Sequence, residues 1–477
     1  MRQAMDTLTP DLCIIGAGSG GLSVAAGAVQ MGASVVLVEA GEMGGDCLNA
    51  GCVPSKALIA AAARAQAMRE AGPFGIAAAE PEIDYAAVMD HVQATIAAIA
   101  PHDSQERFEG LGVTVLRDRA RFTGPDEVLA GTLRIRARRF VVAAGSSPLV
   151  PPIPGLGGAP YLTNETLWAG RACPDHLLIL GGGPIGIEMA QAHARLGSRV
   201  TVVEAARALG RDDPEIAAVV LDRLRAEGVE IREGAAVEAV SGGPGDIALT
   251  LAGGQEVRGT HLLVAAGRVP NTAGLGLDEA GIAHDRRGIA VDRGLRSTTN
   301  RRVYAIGDIA GGPQFTHVAG YHAGLVVRSA LFRLPVRARH GLIPHVTYTD
   351  PEVAHVGLTE DAARAEHGDR VEVYRFPFAE NDRARAGRAT EGLAKMVADR
   401  RGRILGCSIA GTHAGELIVP WALALSKGLK VADMAGHVAP YPTLSEISKR
   451  VAGAYFAPRL FQSDLVKRAV RLLARLG

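Results

Sequence analysis

The sequence predicts an α/β protein made of two Rossmann-like units and a separate C-terminal α+β domain. The first observation is an internal repeat between LCIIGAGSGGLSVAAGAVQMGASVVLVE (residues 12–39) and LLILGGGPIGIEMAQAHARLGSRVTVVE (residues 177–204), each with a strand, glycine loop, helix, strand and acidic residue. The second is that the apolar runs are rich in Ile, Leu and Val, as in parallel strands buried on both faces. The third is that no further glycine fingerprint follows residue 341, where strand-like segments such as VEVYRF and LAKMVAD alternate with helices.

Four domains follow from this pattern. The chain of 477 residues, 48% of them hydrophobic, is long enough for about three compact cores. The Pro-rich segment 146–155 breaks regular structure and predicts a hinge. We place a first dinucleotide-binding domain at 1–150, a second at 151–270, a central domain that completes the first site at 271–340, and the C-terminal domain at 341–477.

Further elements are expected between these landmarks. Ala-rich composition predicts helices at 57–70 and 86–111. Strands at 140–145, 261–267 and 302–307 each end in glycine, where a chain leaves a sheet to approach a ligand. Gly145 and Gly267 are therefore expected to flank the two nucleotide sites.

Charge and composition exclude several classes of function. Lys plus Arg number 51 and Asp plus Glu number 50, so no overall field favours nucleic acid or an anionic membrane. No secretory signal or run of about 18 apolar residues occurs, which predicts a soluble, cytoplasmic protein. The histidines show no metal-ligand spacing, so no resident metal site is expected.

The two glycine fingerprints predict two bound dinucleotides. Missing side chains let the backbone approach a pyrophosphate at a helix N-terminus, and an acid at the end of the next strand accepts hydrogen bonds from ribose hydroxyls. The glycines are Gly16, Gly18 and Gly21 in the first copy and Gly181, Gly183 and Gly186 in the second, with Glu39 and Glu204 as the acids. The charge of Glu204 repels a ribose 2′-phosphate, which favours NADH, although nearby Arg207 offsets part of that repulsion and keeps NADPH open.

The segment GGDCLNAGCVPSK contains the chain's one close cysteine pair, Cys47 and Cys52. A straight helix would hold their Cα atoms about 8 to 9 Å apart, too far for a disulfide, so the segment is expected to bend at Gly44, Gly45 and Gly51. Pro54 fits the first position of a following helix, whose N-terminus stabilises a Cys52 thiolate. The alternative is two buried unpaired thiols. Cys13, Cys173 and Cys407 are expected to be ordinary core or surface residues.

Together, GAGSGG, GGDCLNAGCVPSK, GGGPIGIE, GRVPN and TTNRRVYAIGD resemble, in order, the motifs of the class I pyridine nucleotide-disulfide oxidoreductases. This resemblance implies FAD on the first unit, NAD(P)H on the second, a C-terminal dimerisation domain and a homodimer. It implies that Cys52 lies against the flavin and that Cys47 is the interchange thiol that meets substrate. It further implies that Asp308 hydrogen-bonds the flavin ribitol, and that Lys56 lies beside the flavin with Glu188 as its ion-pair partner, although Lys56 could instead be an exposed helix residue.

One motif departs from the disulfide-reducing members of that family. They have His-Pro-Thr-x-x-Glu, whereas this chain has Tyr441 in place of the histidine and retains Glu446. A tyrosine with a pKa near 10 is a poor proton shuttle at neutral pH. Glu446 either hydrogen-bonds Tyr441 or serves dimer packing, and His317 is expected to have a positional role near the flavin. Tyrosine here is similar to mercuric reductase, but that enzyme's C-terminal cysteine pair and N-terminal CxxC domain are absent from the sequence.

The terminal segment SDLVKRAVRLLARLG predicts a basic amphipathic helix capped by Ser463. Its apolar face is expected to pack on the body or the dimer partner, with an anionic membrane or a partner protein as the alternative. The sequence therefore predicts a flavoprotein reductase that passes electrons from NADH through the cysteine pair to a small disulfide or a soft metal ion. Direct reduction of quinones or oxygen by the flavin, or a redox-sensing role without catalysis, are the other hypotheses.

Overall fold

The computed structural model describes residues 6–475, which form two compact units. The first unit comprises residues up to 181 together with 195–199 and 237–340. The second comprises 182–194, 200–236 and the chain from 341 onward. Residues 1–5 of the predicted first domain, and Leu476 of the predicted tail helix, lie outside the described residues. The four-domain division remains a prediction.

The first unit is organised around a five-stranded parallel sheet. Its strands, in spatial order, are Val303–Ala305, Arg139–Val142, Leu12–Ile15, Val35–Glu39 and Thr114–Arg117. The central strand is fully buried: Leu12 and Ile14 pack into one apolar cluster, and Cys13 and Ile15 pack into another. Alternate residues therefore fill the cores on opposite faces of the sheet, as the apolar runs predicted.

Smaller sheets complete the strands of the first unit. A four-stranded sheet has the order Thr7–Leu8, Leu133–Ile135, Glu127–Ala130 and Ala120–Gly124. Tyr161–Leu162 and His176–Leu180 each pair in parallel with His261–Val264. An antiparallel sheet follows the order Val237–Gly243, Asp246–Leu251 and Glu256–Gly259. Two short antiparallel pairs join Ser146–Pro148 to Arg268–Pro270 and His284–Asp285 to Gly288–Ile289.

Six α-helices belong to the described part of the first unit. They are Ser19–Gln30, Gly45–Asn49, Cys52–Arg69, Tyr85–Ile99, Gln105–Gly110 and Thr316–Phe332. Short 3₁₀ turns occupy Gly72–Phe74, Ala100–Asp103, Leu156–Gly158, Leu167–Ala169 and Gly307–Ala310. Buried side chains of Ser19–Gln30 and Thr316–Phe332 share one cluster with the central strand, which fixes the N-termini of both helices relative to the sheet.

The second unit contains part of the second nucleotide fold and the C-terminal domain. Helix Pro184–Arg195, strand Arg199–Val203, helix Pro214–Ala226 and strand Glu230–Arg232 follow one another, and the two strands pair in parallel. The C-terminal sheet is antiparallel, in the order His345–Thr347, Glu352–Gly357, Ile404–Gly411, Leu393–Asp399 and Val371–Pro377. Its helices are Glu360–His367, Asp382–Ala386, Ala414–Leu417, Val419–Lys427, Val431–Gly436, Glu446–Gly453, Phe456–Phe461 and Asp464–Leu473.

Three local expectations were wrong. The helix expected at 86–111 ends at Ile99 because Pro101 lacks an N–H and clashes with the preceding turn, and a new helix begins after the Ser104 cap. The segment after residue 146 begins with a short strand instead of irregular chain. The third helix begins at Cys52, so Pro54 is its third residue, where a missing N–H still costs nothing.

The predicted C-terminal helix is present, and the Ser463 side chain accepts a hydrogen bond from the Val466 N–H. Its apolar residues are not covered by their own chain: Leu465 is 79% exposed and Leu473 is 64% exposed. This excludes packing on the body of the same subunit for the described residues of the helix. None of the helices within residues 6–475 has the length and apolar character needed to span a membrane.

Candidate redox-active cysteine site

The cysteine pair lies in a bent segment of the first unit. Cys47 is in the short helix Gly45–Asn49, and Cys52 begins the next helix. Gly44 and Gly45 have φ of +86° and +61°, left-handed values that L side chains rarely adopt. A Cβ on Gly45 would lie 2.8 Å from the Cα of Gly18, so the cysteine segment packs directly against the first glycine loop.

Three helix N-termini meet at the thiols. Cys52 is the first residue of its own helix, and its Sγ lies 3.2 Å from Oγ1 of Thr316, the first residue of Thr316–Phe332. The hydroxyl of Ser19, which begins Ser19–Gln30, hydrogen-bonds Cys47. Because the N-terminus of a helix carries partial positive charge, this arrangement favours a negative charge on sulfur.

The two thiols are free and electrostatically unequal. A hydrogen bond from Cys47 lowers the pKa of Cys52 to about 6, against the opposing effect of burial, and Thr316 and the Lys56 charge lower it further. The same hydrogen bond, burial and the charge on Cys52 raise the pKa of Cys47. At neutral pH the pair therefore holds one thiolate, on Cys52, and one thiol, on Cys47.

A polar network lies close by within the first unit. The Ser146 hydroxyl donates to Oδ2 of Asp308 at 2.6 Å, and Nε of Arg268 donates to the same hydroxyl at 2.7 Å. A second guanidinium nitrogen of Arg268 lies 3.3 Å from Oδ1 of Asp46, in the cysteine segment. Burial raises the pKa of Asp308, against the opposing hydrogen bond from Ser146. Arg268 thus connects the predicted ribitol ligand to the cysteine segment.

The first glycine loop fits a dinucleotide. Gly16 has φ of +103°, and a Cβ there would lie 2.5 Å from the carbonyl oxygen of Ala143. The carboxylate of Glu39 accepts hydrogen bonds from the N–H groups of Ala17 at 2.5 Å and Gly41 at 2.6 Å. No side chain covers the loop backbone at Gly16, and the Glu39 carboxylate is held beside the loop by these two hydrogen bonds. Gly18 caps the helix, Gly21 is buried within it, and Gly145 has φ of +66°.

The second glycine loop repeats this geometry. Gly181 has φ of +115°, and a Cβ there would lie 2.4 Å from the carbonyl oxygen of Ala265. Glu204 accepts from the N–H groups of Gly182 at 2.7 Å and Ala206 at 2.8 Å. These partners match Ala17 and Gly41 position for position along the repeat. Gly183 precedes the helix Pro184–Arg195, Gly186 is buried in it, and Gly267 has φ of +126°.

The remaining predicted residues are distributed over both units. Lys56 is half-buried in the first unit and its Nζ lies 3.4 Å from the Ser55 hydroxyl. Glu188 is 5% exposed in the second unit and accepts a hydrogen bond from the Tyr348 N–H. The His317 ring stacks on Phe315, with 5.3 Å between ring centroids. The Lys56–Glu188 ion pair therefore remains a prediction.

The hydrogen-bond partner of Tyr441 is Asp382, whereas one of the two predicted alternatives paired Tyr441 with Glu446. The Tyr441 hydroxyl donates to Oδ2 of Asp382 at 3.0 Å. That hydrogen bond and the Asp382 charge raise the pKa of Tyr441, and the charge of Glu446 acts in the same direction. Glu446 therefore influences Tyr441 through its charge, and the hydrogen bond goes to Asp382.

The other three cysteines are buried or half-buried. Cys13 and Cys407 are fully buried, and the Cys173 Sγ lies 3.2 Å from the Ser198 hydroxyl. Among residues 6–475, no group of three His, Cys, Asp or Glu side chains is placed to hold a metal ion.

Sequence reasoning missed Thr316, Arg268 and Ser146. Thr316 directly precedes His317, and Arg268 is part of GRVPN. Their roles depend on contacts across 264 and 122 positions of the chain. The only feature of the sequence that could have indicated these residues is that they are polar residues within or next to the motifs.

Comparison with protein families gives a match to pyridine nucleotide-disulphide oxidoreductase over residues 10–323 and to the dimerisation domain of the same family over residues 343–452. The chain is 38% identical over 467 residues to a mercuric reductase of Streptomyces lividans, covering 96% of this chain and 97% of the relative. It is 36% identical over 489 residues to a dihydrolipoyl dehydrogenase of Thermus scotoductus, covering 98% and 100%.

This chain is also similar in fold to proteins of known structure. The Cu(II) complex of the HOCl-induced flavoprotein disulfide reductase RclA from Escherichia coli has a TM-score of 0.83 and 28% identity, covering 93% of this chain and 99% of that one. LpdA from Mycobacterium tuberculosis has a TM-score of 0.86 and 27% identity, covering 94% and 99%.

Proposed function

Because the chain belongs to the pyridine nucleotide-disulphide oxidoreductase family, we propose that it reduces a thiophilic metal ion, Hg(II) or Cu(II), with electrons that pass through Cys47 and Cys52. Members of this family are enzymes that contain FAD and use NAD(P)H, and the matched dimerisation domain makes the protein a homodimer. The bound FAD supplies two-electron transfer between the nicotinamide and the cysteine pair.

The unequal pair of thiols is the observation that carries the proposal. With the pKa of Cys52 at about 6, a thiolate is present at neutral pH without help from a base. Thiolates are the ligands that soft metal ions prefer, and a bound cation would draw the proton from Cys47. Two electrons from the dithiol then reduce one Hg(II) to Hg(0), or two Cu(II) to two Cu(I), and leave the disulfide.

Tyr441 supports a metal ion over a disulfide as acceptor. Reduction of a disulfide releases a thiolate that needs a proton, which a histidine supplies in the disulfide-reducing relatives. Tyr441 donates its proton to a hydrogen bond with Asp382 and its pKa is raised, so it stays protonated and is a poor general base at neutral pH. Reduction of a metal ion does not need that proton transfer.

We assign the cofactor contacts from the glycine loops and their acids. Gly16 and Glu39 hold the adenosine end of FAD, and Asp308, positioned by Ser146, holds its ribitol. Gly181 and Glu204 hold the nicotinamide nucleotide, and the carboxylate favours NADH over NADPH. Lys56, with Glu188 as its partner, places positive charge beside the flavin and favours its reduced form.

A panel of acceptors with purified holoenzyme tests the proposal. NADH oxidation is measured with Hg(II), Cu(II), lipoamide, glutathione disulfide and a quinone. We expect the wild type to turn over the metal ions fastest, and Cys47→Ser and Cys52→Ser to lose that activity. Faster turnover of a disulfide by the wild type, or quinone reduction that persists in Cys52→Ser as the main activity, contradicts the proposal.

Substitution of Tyr441 separates the two classes of acceptor. Tyr441→His restores a side chain that titrates near neutral pH, and we expect disulfide reduction to rise by about 10²-fold, the lower end of what acid–base catalysis supplies. Tyr441→Phe is the matched control, which keeps the ring and removes the hydroxyl. Its metal turnover should equal that of the wild type, and a large loss would show that the Tyr441 hydroxyl is needed for metal reduction.

A further inference from the structure

A basic cavity lies in the first unit, away from the first glycine loop. Its open volume is about 470 Å³, and its lining includes four arginines: Arg139, Arg296, Arg301 and Arg333. Cavities of this size accommodate small-molecule ligands. Arg139 begins the strand Arg139–Val142, so the cavity lies at the amino end of that strand. The loop with Gly16 follows the carboxyl end of the neighbouring parallel strand, at the opposite edge of the sheet.

The positive charge in this cavity is not balanced by its own residues. Asp292 is the one carboxylate in the lining, and it is engaged by the Arg301 guanidinium at 2.8 Å and by the N–H groups of Gly294 and Arg296. The last turn of Thr316–Phe332 contributes about half a negative charge from its carbonyl groups. An excess of more than two positive charges remains.

Arg139 differs from the other three arginines because part of its guanidinium group is buried without a partner. Its Nη1 donates to the Arg138 carbonyl oxygen, but its Nε is buried and has no hydrogen-bond partner among the described residues. Burial lowers the pKa of Arg139, and so do the positive charges of Arg296 and Arg138. A buried donor without an acceptor is costly and rare in folded proteins, so the position favours an added negative charge.

The other arginines are held at the cavity in different ways. The Arg296 guanidinium lies 5.1 Å from the centre of the Tyr304 ring and donates to its hydroxyl at 2.7 Å, which fixes its position. Arg333 caps the helix Thr316–Phe332, is exposed, and makes no side-chain hydrogen bond or ion pair with a described residue. One guanidinium held by Tyr304 and one exposed guanidinium therefore border the same space.

We propose that this cavity binds a small molecule through a phosphoryl group. Guanidinium groups bind phosphate oxygens in bidentate fashion, and several converging arginines match the charge of a phosphoryl dianion. Leu334, Pro335 and Val336 form an apolar wall beside the arginines. The wall fits the organic part of a phosphorylated metabolite and distinguishes it from free phosphate.

Calorimetric titration of the FAD-loaded dimer tests the site. AMP and inorganic phosphate are the probes, and saturating NAD⁺ occupies the second glycine loop so that AMP cannot bind there. We expect saturable binding of both probes, with AMP bound more tightly because it also contacts the apolar wall. Equal affinity for the two probes would show that the cavity recognises only the phosphate anion, and would contradict binding of an organic group at the apolar wall. If neither AMP nor inorganic phosphate binds saturably, the proposal is wrong.

Substitution of Arg333 places any binding in the cavity. Because its side chain is exposed and unpaired with described residues, Arg333→Gln should leave FAD content and thermal stability unchanged. Loss of one charge-assisted contact should weaken AMP binding by about tenfold, and Arg333→Glu should weaken it further. Arg328→Gln and Arg328→Glu, in the helix that Arg333 caps but outside the cavity lining, are matched controls. Equal affinity in the Arg333 and Arg328 variants means that the probes bind elsewhere and contradicts the proposal.

Discussion

At the scale of single residues, Cys52 differs from Cys47 because of what surrounds its sulfur. Cys52 begins a helix, accepts a hydrogen bond from Cys47 and lies beside the Thr316 hydroxyl, and all three effects favour its thiolate. Cys47 has the opposite balance because its hydrogen bond to Cys52, burial and the charge of Cys52 all raise its pKa. The assignment of roles to the two cysteines therefore has a physical basis in this chain.

Thr316 provides a direct test of that basis. In Thr316→Val the hydroxyl is lost, so the pKa of Cys52 should rise from about 6, on the order of a single pH unit for one lost hydrogen bond. Only the thiolate reacts with iodoacetamide, so the pH profile of Cys52 alkylation in the reduced enzyme should move to higher pH. Thr316→Ser keeps the hydroxyl and should retain the wild-type profile. An unchanged profile in Thr316→Val would show that Thr316 does not stabilise the Cys52 thiolate.

Glu204 is expected to select the nicotinamide cofactor. Glu204→Gln keeps a hydrogen-bond acceptor near the Gly182 and Ala206 N–H groups but removes the charge that repels a 2′-phosphate. We expect kcat/KM for NADPH relative to NADH to rise about tenfold, which corresponds to roughly 1.4 kcal/mol. Exposed Glu165, changed to Gln, serves as the control. If the ratio stays constant, the preference originates elsewhere.

At the scale of elements, the repeat was predictable because glycine spacing and strand composition are local features. Gly16 and Gly181 have matching left-handed conformations, and Glu39 and Glu204 have matching backbone partners. The meeting of three helix N-termini at the cysteine pair was not predictable, because it depends on packing between segments far apart in the chain. The proline at position 101 was a visible signal that the helix would end there. The Ala-rich composition of residues 86–111 nevertheless led to the prediction of one continuous helix.

The C-terminal helix has an apolar face that its own chain leaves open. Leu465, Val470, Leu472 and Leu473 are between 59% and 79% exposed. The helix follows the matched dimerisation domain, residues 343–452, so we expect the partner subunit to cover this face. Deletion of residues 463–477 should weaken the dimer, measured by sedimentation on dilution.

Substitutions on the two faces of this helix refine that test. Leu465→Gln with Leu473→Gln should weaken the dimer, whereas Lys467→Gln with Arg471→Gln, on the basic face, should not. If the deleted form dimerises as well as the wild type but no longer sediments with anionic vesicles, the face binds a lipid surface instead.

At the scale of the whole molecule, a buried charge cluster stabilises the second unit. The Lys395 side chain is 4% exposed and its Nζ lies within 3.0 Å of carboxylates of Asp213, Glu215 and Glu360. Lys395→Met leaves the buried Asp213 carboxylate without its cation, whereas Glu215 and Glu360 keep Arg375. The substitution should destabilise the protein by about 3 to 5 kcal/mol. Thermal unfolding followed by circular dichroism measures the loss, with exposed Lys427→Met as control. Equal Tm values for the two variants would contradict the assigned role.

Transfer of electrons from NADH to Cys47 and Cys52 is the step on which the proposed reaction depends. The most direct measurement is anaerobic alkylation of the oxidised holoenzyme before and after addition of NADH, with each cysteine located by mass spectrometry. We predict that Cys52, which holds the thiolate of the reduced pair, is modified only after NADH is added, while the buried thiols Cys13 and Cys407 stay unmodified throughout. Modification of Cys52 before NADH is added, or no modification of Cys52 afterwards, would contradict this electron path.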